Sequence, residues 1–470
     1  MHKTKIVCTI GPASDSEKIL ANLMDAGMKV ARLNFSHGSH EEHANTIKRI
    51  RTVAEKKNLP IAILQDLSGP KIRVSDIQDG VVQLQPGQSF TLTTDRVPGD
   101  KSRVSVPFTD FSKAVTKNDR ILLADGSIEL LVLSTDASNV TCEVLVGGEL
   151  SSKKGINLPG RTLRIQAFTP KDRDDLEFGL THGVDYVAMS FVRTKEDVLR
   201  VKEVIEKREQ QVPVIAKIEK HEALANIDDI IEVVDGIMVA RGDLAVETAL
   251  EEVPLVQKML IKKCNQAGKP VITATQMLKS MVDNPRPTRA EANDVANAVL
   301  DGTDAVMLSE ETTVGDYPVE SVKTMARIIE VTETNRVHDS DPLRHSHYEP
   351  ATIQHAVCLG AFEIAKDLEA AAIITPTDSG STARMVSTYR PAPPIIAWCH
   401  KPQVLRCLNL VWGVFPLLAK QYEKSDEMIA QAKAAALQSG LVQKGEKVVI
   451  TAGIPVGMSG TTNLIKVDIL

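Results

Sequence analysis

The sequence predicts an α/β protein: a (β/α)8 TIM barrel with an inserted all-β lid domain and a C-terminal open α/β domain. Three observations predict this architecture. Eight short apolar runs alternate with amphipathic helical segments. Their spacing is broken once, between the third and fourth runs, by about 100 residues of β-like sequence. After residue 350, strand-like and helical segments alternate again, as in an open sheet covered by helices.

The first β/α unit shows the repeating pattern. The apolar run 5–10 is followed by Ser14 and Glu17, which have capping-box spacing at a helix start, and Gly27 is suited to the helix end. Such runs, rich in Val, Ile, Ala and Met, are typical of parallel strands buried on both faces. The other seven runs span 29–35, 61–67, 186–191, 212–219, 236–243, 271–277 and 305–311.

The insert and the C-terminal region have their own signals. Pro86-Gly87 separates two alternating segments, and Asp125-Gly126 joins 121–124 to 128–133 as a hairpin. An all-β insert at a barrel mouth is a candidate lid that excludes water. Strand-like runs follow at 371–376, 394–399, 414–418, 446–452 and 464–470. We therefore predict a discontinuous barrel (1–69 and 169–335), a lid (70–168), a linker (336–350) and a C-terminal domain (351–470).

Composition narrows the class of protein. The chain has 470 residues, enough for two to four domains at about 150 residues each. It carries 55 Lys and Arg against 61 Asp and Glu, which argues against a nucleic-acid binder with a broad basic surface. No apolar run approaches the roughly 20 residues that span a bilayer, and no signal-peptide pattern is present. The six scattered cysteines form no CxxC pair, so we expect no disulfide framework or zinc site and a cytoplasmic protein. From the charge balance and the lack of a spanning run, we expect no nucleic-acid or membrane partner.

Polar residues collect at the carboxyl ends of the predicted strands, where barrels of this class hold their active sites. Glu219 and Asp243 are carboxylates on neighbouring strands, a donor set that suits Mg2+. Lys217 lies two residues before Glu219, so strand alternation points both side chains to one face. In isolation this pair would equally fit a structural ion pair.

Three further residues extend the predicted site. Arg32 offers a planar donor for phosphate, and Thr275 supplies a hydroxyl at the seventh strand. Backbone N–H groups at Gly242 would hold a carboxylate if a helix begins there. Together with the carboxylates and Lys217, these residues predict a small phosphate-and-carboxylate substrate bound with a divalent metal.

Long motifs in the same order along the chain resemble the signatures of the pyruvate kinase family. They are CTIGPAS at 8–14, ARLNFSHG at 31–38, AKIE at 216–219, MVARGDL at 238–244, TATQML at 273–278 and NPRPTRAE at 284–291. The resemblance implies a glycolytic phosphotransferase that converts phosphoenolpyruvate and ADP to pyruvate and ATP, acting as a homotetramer. Two other readings stay open: another Mg2+-dependent barrel enzyme acting on pyruvate or phosphoenolpyruvate, and a catalytically silent sugar-phosphate sensor on the same fold.

The resemblance also implies residue roles. Glu219 and Asp243 would bind Mg2+, with Mn2+ as a substitute, and Lys217 and Arg32 would contact the phosphoryl group. Gly242, Asp243 and Thr275 would hold the substrate carboxylate, with Thr275 near the enolate proton donor. A second Mg2+ would arrive with the nucleotide. The implied nucleotide-binding residues are Pro12, Asn34, His37, Arg73 and Lys154.

Two positions depart from the family pattern. Many members hold K+ with groups matching Asn34, Ser36, Asp66 and the carbonyl of Leu67, and carry a Glu where this chain has Lys71. Exchanging a carboxylate for an ammonium changes the local charge by about two units and disfavours a nearby cation. We therefore hypothesise that Lys71 replaces K+; the alternative is that Lys71 points to solvent and the K+ site survives. Glu310 stands where the family has a small residue, and its role is open.

The C-terminal domain contains a turn rich in hydroxyls and glycine between a predicted strand and helix. Such a turn could cradle a phosphate or be an ordinary capped turn. The resemblance implies a phosphorylated allosteric effector here, whose identity the sequence does not give. The predicted effector-binding residues are Thr375, Thr377, Ser379, Gly380, Ser381 and Thr382.

Overall fold

The predicted barrel is confirmed. The computed structural model describes residues 2–161, 165–335, 352–420, 422, 424–455 and 461–470. Eight parallel strands follow one another around the barrel, and the last pairs with the first, with Lys5 opposite Ala305. The barrel strands are Lys5–Thr9, Met28–Asn34, Ala62–Asp66, Tyr186–Met189, Val214–Ile218, Gly236–Ala240, Val271–Ala274 and Ala305–Leu308.

Several predicted runs extended past the true strand ends. The sixth strand stops at Ala240 because a helix begins at once at Arg241. The seventh stops at Ala274 because Thr275 and Gln276 take left-handed backbone angles, with φ of 68° and 56°. The apolar pattern did not mark these strand ends, because it resumes soon after them, with Leu244 after the sixth strand and Met277 after the seventh.

Helices cover the outside of the barrel. The predicted cap at Ser14 is wrong: Ser16 caps the first helix by accepting from Ile19 N at 3.3 Å, while Ser14 Oγ accepts from Gly11 N. Gly27 ends this helix as predicted, with φ 119°. The helices are Glu17–Ala26, His40–Lys56, Pro170–Thr181, Lys195–Lys207, His221–Ala225, Ile227–Val233, Arg241–Glu247, Val253–Gln266, Arg289–Asp301, Glu310–Thr313 and Pro318–Asn335, with 3-10 turns at Leu250–Glu252 and Lys279–Val282.

The insert is β-rich, as predicted, with its own apolar core and one short helix, Phe111–Ala114. The hairpin at Asp125-Gly126 is confirmed, since Leu123 pairs with Ile128 in antiparallel register. The strands on either side of Pro86-Gly87 enter different sheets. The lid strands are Val81–Leu84, Ser89–Thr93, Arg103–Ser105, Arg120–Leu123, Ile128–Thr135, Asn139–Val146, Gly148–Ser151 and Ile156–Asn157.

In the part of the C-terminal domain that the structure describes, five strands form an open sheet covered by helices, and only the last strand is antiparallel to its neighbour. Its strands are Ala372–Pro376, Ile395–Cys399, Val414–Leu418, Lys447–Gly453 and Thr462–Ile469, and its helices are Ile353–Asp367, Ser381–Thr388, Pro402–Leu408 and Ser425–Gln438. The predicted linker 336–350 lies outside the described residues. Within the described ranges, no helix combines the length and apolarity needed to cross a membrane.

Ion pairs join the C-terminal domain to the amino-terminal ends of the barrel strands. Arg406 Nε lies 2.6 Å from Asp185 Oδ1, and Arg390 Nη2 lies 3.1 Å from Asp304 Oδ2. These two aspartates directly precede the fourth and eighth barrel strands. The carboxyl ends of the strands, at the opposite end of the barrel, are therefore left to face the lid.

Candidate active site

A buried network of charges surrounds Lys217 at the carboxyl ends of the strands. Its Nζ lies 2.9 Å from Glu219 Oε1 and 3.2 Å from Asp66 Oδ1, and it donates to Ser190 Oγ at 2.6 Å. Burial opposes the charged form, but Asp66 and Glu219 outweigh it and raise the pKa of Lys217 above its usual value. The ammonium is therefore charged at neutral pH. The predicted pairing of Lys217 with Glu219 is present in the structure.

Asp66 orients two cations at once. Its Oδ2 accepts from Arg32 Nε at 2.6 Å, while Arg32 Nη1 donates to Thr9 Oγ1 at 2.9 Å. Asp66 is buried, which alone would raise its pKa, but Lys217 and Arg32 hold the pKa of this carboxyl below its usual range. The sequence named Asp66 only as a candidate potassium ligand, and it did not reveal this bridging role or the contact of Thr9.

Glu219 and Asp243 form an anionic pair suited to a divalent cation. Burial raises the pKa of Glu219, and the negative charge of Asp243 raises it further. A cation between the two carboxylates would relieve this repulsion. Among the described residues, no group of three or more His, Cys, Asp or Glu side chains could hold a metal. Two carboxylates with water and substrate oxygens match the preference of Mg2+.

Phe191 fixes the second oxygen of Glu219. Its backbone N–H donates to Glu219 Oε2 at 2.8 Å, and its own φ is 56°, in the left-handed region. A Cβ on Gly69 would lie 2.7 Å from the Phe191 ring, and Gly69 also has a positive φ of 63°. Glycine is therefore required at 69 so that Phe191 can sit behind the carboxylate. No sequence pattern pointed to Phe191.

The helix that begins at Arg241 meets Thr275, as the predicted carboxylate site requires. Gly242 N donates to Thr275 Oγ1 at 2.8 Å, and this hydroxyl donates to Ala274 O at 2.7 Å. Arg241 Nη2 donates to Thr275 O at 2.7 Å and pairs with Asp294. The left-handed turn at Thr275 is therefore held by the start of the helix that follows the sixth strand, through the predicted Gly242 and through Arg241, which was not a predicted site residue.

The predicted nucleotide-binding residues come from the barrel and the lid. Pro12 and His37 are exposed at the ends of the first two strands, and Lys154 is exposed on the lid. Arg73 Nη1 donates to Lys153 O at 3.3 Å. Partial desolvation and then the charges of Arg73, Arg32 and Lys71 lower the pKa of His37. Positively charged side chains of both the lid and the barrel therefore lie close enough to His37 to affect its pKa.

Lys71 lies between the lid and the predicted metal site. Its Nζ is 3.3 Å from Asp243 Oδ1 and 3.4 Å from Asp125 Oδ1, and its side chain is 24% exposed. Of the four groups matching a K+ site, Asn34 Oδ1 accepts from Ser36 N at 3.2 Å, and the Leu67 carbonyl accepts from Ser190 Oγ at 2.7 Å. Lys71 therefore contributes positive charge to the predicted metal site by pairing with Asp243.

Glu310 is exposed and pairs with Lys279, on the turn after the seventh strand. Its neighbour Glu311 is buried and accepts from Leu278 N at 3.0 Å and from Ser309 N at 2.7 Å. The two carboxylates thus connect the segments that follow the seventh and eighth strands. Glu310, which departs from the family pattern, has a local structural role as the partner of Lys279.

The turn predicted to bind an effector lies between a strand and the helix Ser381–Thr388. Thr377 Oγ1 accepts from Gly380 N at 3.0 Å, and Gly380 has a left-handed φ of 79°. Ser379 Oγ donates to Ser381 Oγ at 3.1 Å, and the Thr382 hydroxyl bonds that of Thr462 at 2.7 Å. Thr375 is buried beneath the turn. The predicted residues are therefore together, with most of their hydroxyls bonded within the domain.

The family described as pyruvate kinase, barrel domain, matches residues 1–322, and pyruvate kinase, alpha/beta domain, matches residues 355–468. A pyruvate kinase from Geobacillus stearothermophilus is 50% identical over 472 residues, covering 100% of this chain and 80% of the relative. One from Clostridium acetobutylicum is 46% identical, with both chains fully covered. The crystal structure of a pyruvate kinase from Cryptosporidium parvum superposes with a TM-score of 0.93 at 39% identity, covering 100% of this chain and 96% of that one.

Proposed function

This chain belongs to the pyruvate kinase family, and on that premise we propose that the network around Lys217 carries the family reaction. The chain is a phosphotransferase that converts phosphoenolpyruvate and ADP to pyruvate and ATP. The relatives do not favour the two other readings, a different Mg2+-dependent barrel enzyme or a silent sensor. The observation that carries the site assignment is one charged ammonium held between Asp66 and Glu219 at the barrel mouth.

Each residue of the network has a proposed task. Mg2+ bound by Glu219 and Asp243 would supply positive charge to the oxygens of the phosphoryl group. Lys217 places its ammonium where negative charge develops during transfer, which is worth most in a site that excludes water. Arg32 binds phosphate, because Asp66 and Thr9 leave its planar guanidinium in one orientation.

Gly242, Asp243 and Thr275 would hold the substrate carboxylate. In the structure Gly242 N donates to Thr275 Oγ1, so a bound carboxylate would share or replace that hydroxyl as acceptor. The hydroxyl of Thr275 donates to Ala274 O at 2.7 Å in the structure, so it would have to rotate away from that carbonyl to donate toward the substrate. A hydroxyl has too high a pKa to be a direct acid for the enolate, so we assign Thr275 a relay role.

The nucleotide would bind between barrel and lid, against Pro12, Asn34, His37, Arg73 and Lys154. The support is electrostatic: Arg73 from the lid and Arg32 from the barrel both act on His37. Cations from two domains facing one region are suited to the phosphates of ADP, and a second Mg2+ would accompany them. Movement of the lid would then change how strongly the nucleotide is held.

Lys71 would make K+ unnecessary. Its ammonium is within 3.3 Å of Asp243, so it supplies positive charge next to the proposed metal carboxylates. A monovalent cation bound at Asn34, Ser36, Asp66 and the Leu67 carbonyl would face repulsion from this ammonium. The side chain is only 24% exposed, which speaks against the alternative that it points to solvent.

Several wider assignments belong to the same proposal. The turn from Thr375 to Thr382 would bind a phosphorylated effector, and the chain would act as a homotetramer. We place the protein in the cytoplasm, which agrees with six buried free thiols. The domain boundaries 1–69 with 169–335, 70–168, 336–350 and 351–470 remain our prediction.

The test is pyruvate formation from phosphoenolpyruvate and ADP with Mg2+, measured in potassium-free buffer and again with K+. Comparable rates in both would support the reaction and the role of Lys71. Turnover only with K+ would keep the reaction and overturn the replacement of K+ by Lys71. Absence of turnover in both buffers, also after sugar phosphates are added, would overturn the assignment of the reaction.

A further inference from the structure

A second ion pair lies behind the two carboxylates assigned to Mg2+. Lys220 directly follows Glu219 in the chain, and Glu247 lies four residues after Asp243, at the end of the same helix, Arg241–Glu247. Lys220 Nζ is 2.5 Å from Glu247 Oε1. The chemistry proposed above uses neither Lys220 nor Glu247.

Glu247 is a buried carboxylate whose charge is balanced by this contact. Its side chain is 0% exposed, and that of Lys220 is 17% exposed. The same Oε1 accepts from Asn157 Nδ2 of the lid at 3.1 Å, whereas Oε2 has no hydrogen-bond partner among the residues that the structure describes. An uncompensated buried carboxylate is strongly unfavourable, so Glu247 has to stay next to Lys220. The position of Lys220 therefore determines where the end of this helix lies.

Lys220 also contacts the residue that holds Glu219. Its ammonium lies 5.7 Å from the centroid of the Phe191 ring, within cation–π range. The backbone N–H of Phe191 donates to Glu219 Oε2 at 2.8 Å. One ammonium therefore touches the support of Glu219 on one side and the helix of Asp243 on the other.

The fifth and sixth barrel strands do not themselves fix the two carboxylates. The fifth strand pairs with the sixth up to Ile218, and the sixth pairs with the seventh up to Ala240, so Glu219 and Asp243 both lie beyond the ladder. We propose that Lys220 and Glu247 are positioning residues that set the separation of Glu219 and Asp243, and with it the affinity for a divalent metal. This inference rests on the proposed function. Residues that orient metal ligands typically change metal affinity 10–100-fold when they are replaced.

The test compares Mn2+ dissociation constants, measured by electron paramagnetic resonance on the full chain without nucleotide. We expect Lys220→Met and Glu247→Gln each to weaken Mn2+ binding at least about tenfold. The double variant should bind Mn2+ at least as tightly as the more impaired of the two single variants, because both substitutions break the same contact. A charge effect alone predicts a different pattern: loss of the Lys220 cation would tighten Mn2+ binding, and the double variant would match the wild type.

Two further variants sharpen the test. Lys220→Arg keeps the cation beside Glu247 and should restore most of the affinity. Lys202→Met removes a lysine from an ion pair with Asp235 at the other end of the same barrel, and it should leave Mn2+ binding unchanged. Circular dichroism shows whether Lys220→Met is folded. If it is not, the Mn2+ affinity of the double variant tests the positioning role, since that variant buries no unpaired charge.

Mn2+ binding by Lys220→Met or by the double variant that equals or exceeds that of the wild type overturns the positioning role. Failure of the proposed function would appear elsewhere, as a wild-type chain that forms no pyruvate. The Mn2+ constants remain measurable on such a chain, so the two failures cannot be confused.

Discussion

Lys5 offers a quantitative test of how the barrel and the C-terminal domain are joined. It is buried, its Nζ donates to Val414 O at 2.6 Å, and it lies 4.6 Å from the centroid of the Phe415 ring. Burial, aided by the charge of Lys29, lowers the pKa of Lys5 from its ordinary value near 10.5 to about 7, although Glu333 and Asp304 oppose the change. We therefore expect Lys5→Met to be at least as stable as the wild type at pH 7.

The sign and size of the pH effect follow from proton linkage. Between pH 7 and 10.5 the unfolded chain keeps this proton while the folded chain loses it, so the free energy of unfolding rises with pH. Below pH 7 both states are protonated, and the cost of burying the charge is fully present. Integrated from pH 7 to pH 9, the wild type gains about 2 kcal/mol relative to Lys5→Met.

The assay is urea unfolding of both proteins at pH 7 and pH 9, followed by tryptophan fluorescence. Trp412 is a suitable reporter because its backbone N–H donates to Asp304 of the barrel at 3.2 Å. Lys202→Met serves as the control for loss of a lysine elsewhere in the barrel. A stability difference between wild type and Lys5→Met that is the same at both pH values would refute the reasoning, since Lys5 would then be charged in the folded protein throughout.

Three further predictions concern the site. Lys217→Met should lower kcat about 10²–10³-fold in a coupled pyruvate assay, because a preorganised charge is lost, whereas a change below tenfold would remove Lys217 from phosphoryl transfer. Lys71→Glu should make turnover depend on K+, since the ammonium beside Asp243 becomes a carboxylate; equal rates with and without K+ would contradict this. Gly69→Ala should destabilise the protein by about 2 kcal/mol in calorimetry, because φ is 63° and the new Cβ would meet the Phe191 ring at 2.7 Å. Gly80→Ala, with φ 79° and open space around it, is the matched control, and an equal loss in both variants would show that the ring contact is unimportant.

Part of the site could be predicted because its residues are close in the chain. Lys217 and Glu219 lie two residues apart on one strand, and strand alternation alone places them on the same face. The helix start at Arg241 was only a condition of the predicted carboxylate site, because the apolar run was extended to residue 243, past the true strand end at Ala240. The roles of Asp66 and Phe191 could not be predicted, because their partners stand far away in the sequence and meet them only when the barrel closes.

The sequence by itself determined the order of strands and helices, the inserted lid and the C-terminal sheet, because buried faces require apolar residues at the period of each element. It also determined the family, because the long motifs are specific. It did not determine where strands end: Thr275 turns into a left-handed conformation that periodicity does not record. Local backbone geometry decided that Ser16 rather than Ser14 caps the first helix, whereas tertiary structure alone decided that Lys220 meets Glu247. The physical reason is that such contacts depend on the direction of each backbone segment in space, whereas a hydrophobic pattern records only which residues avoid water.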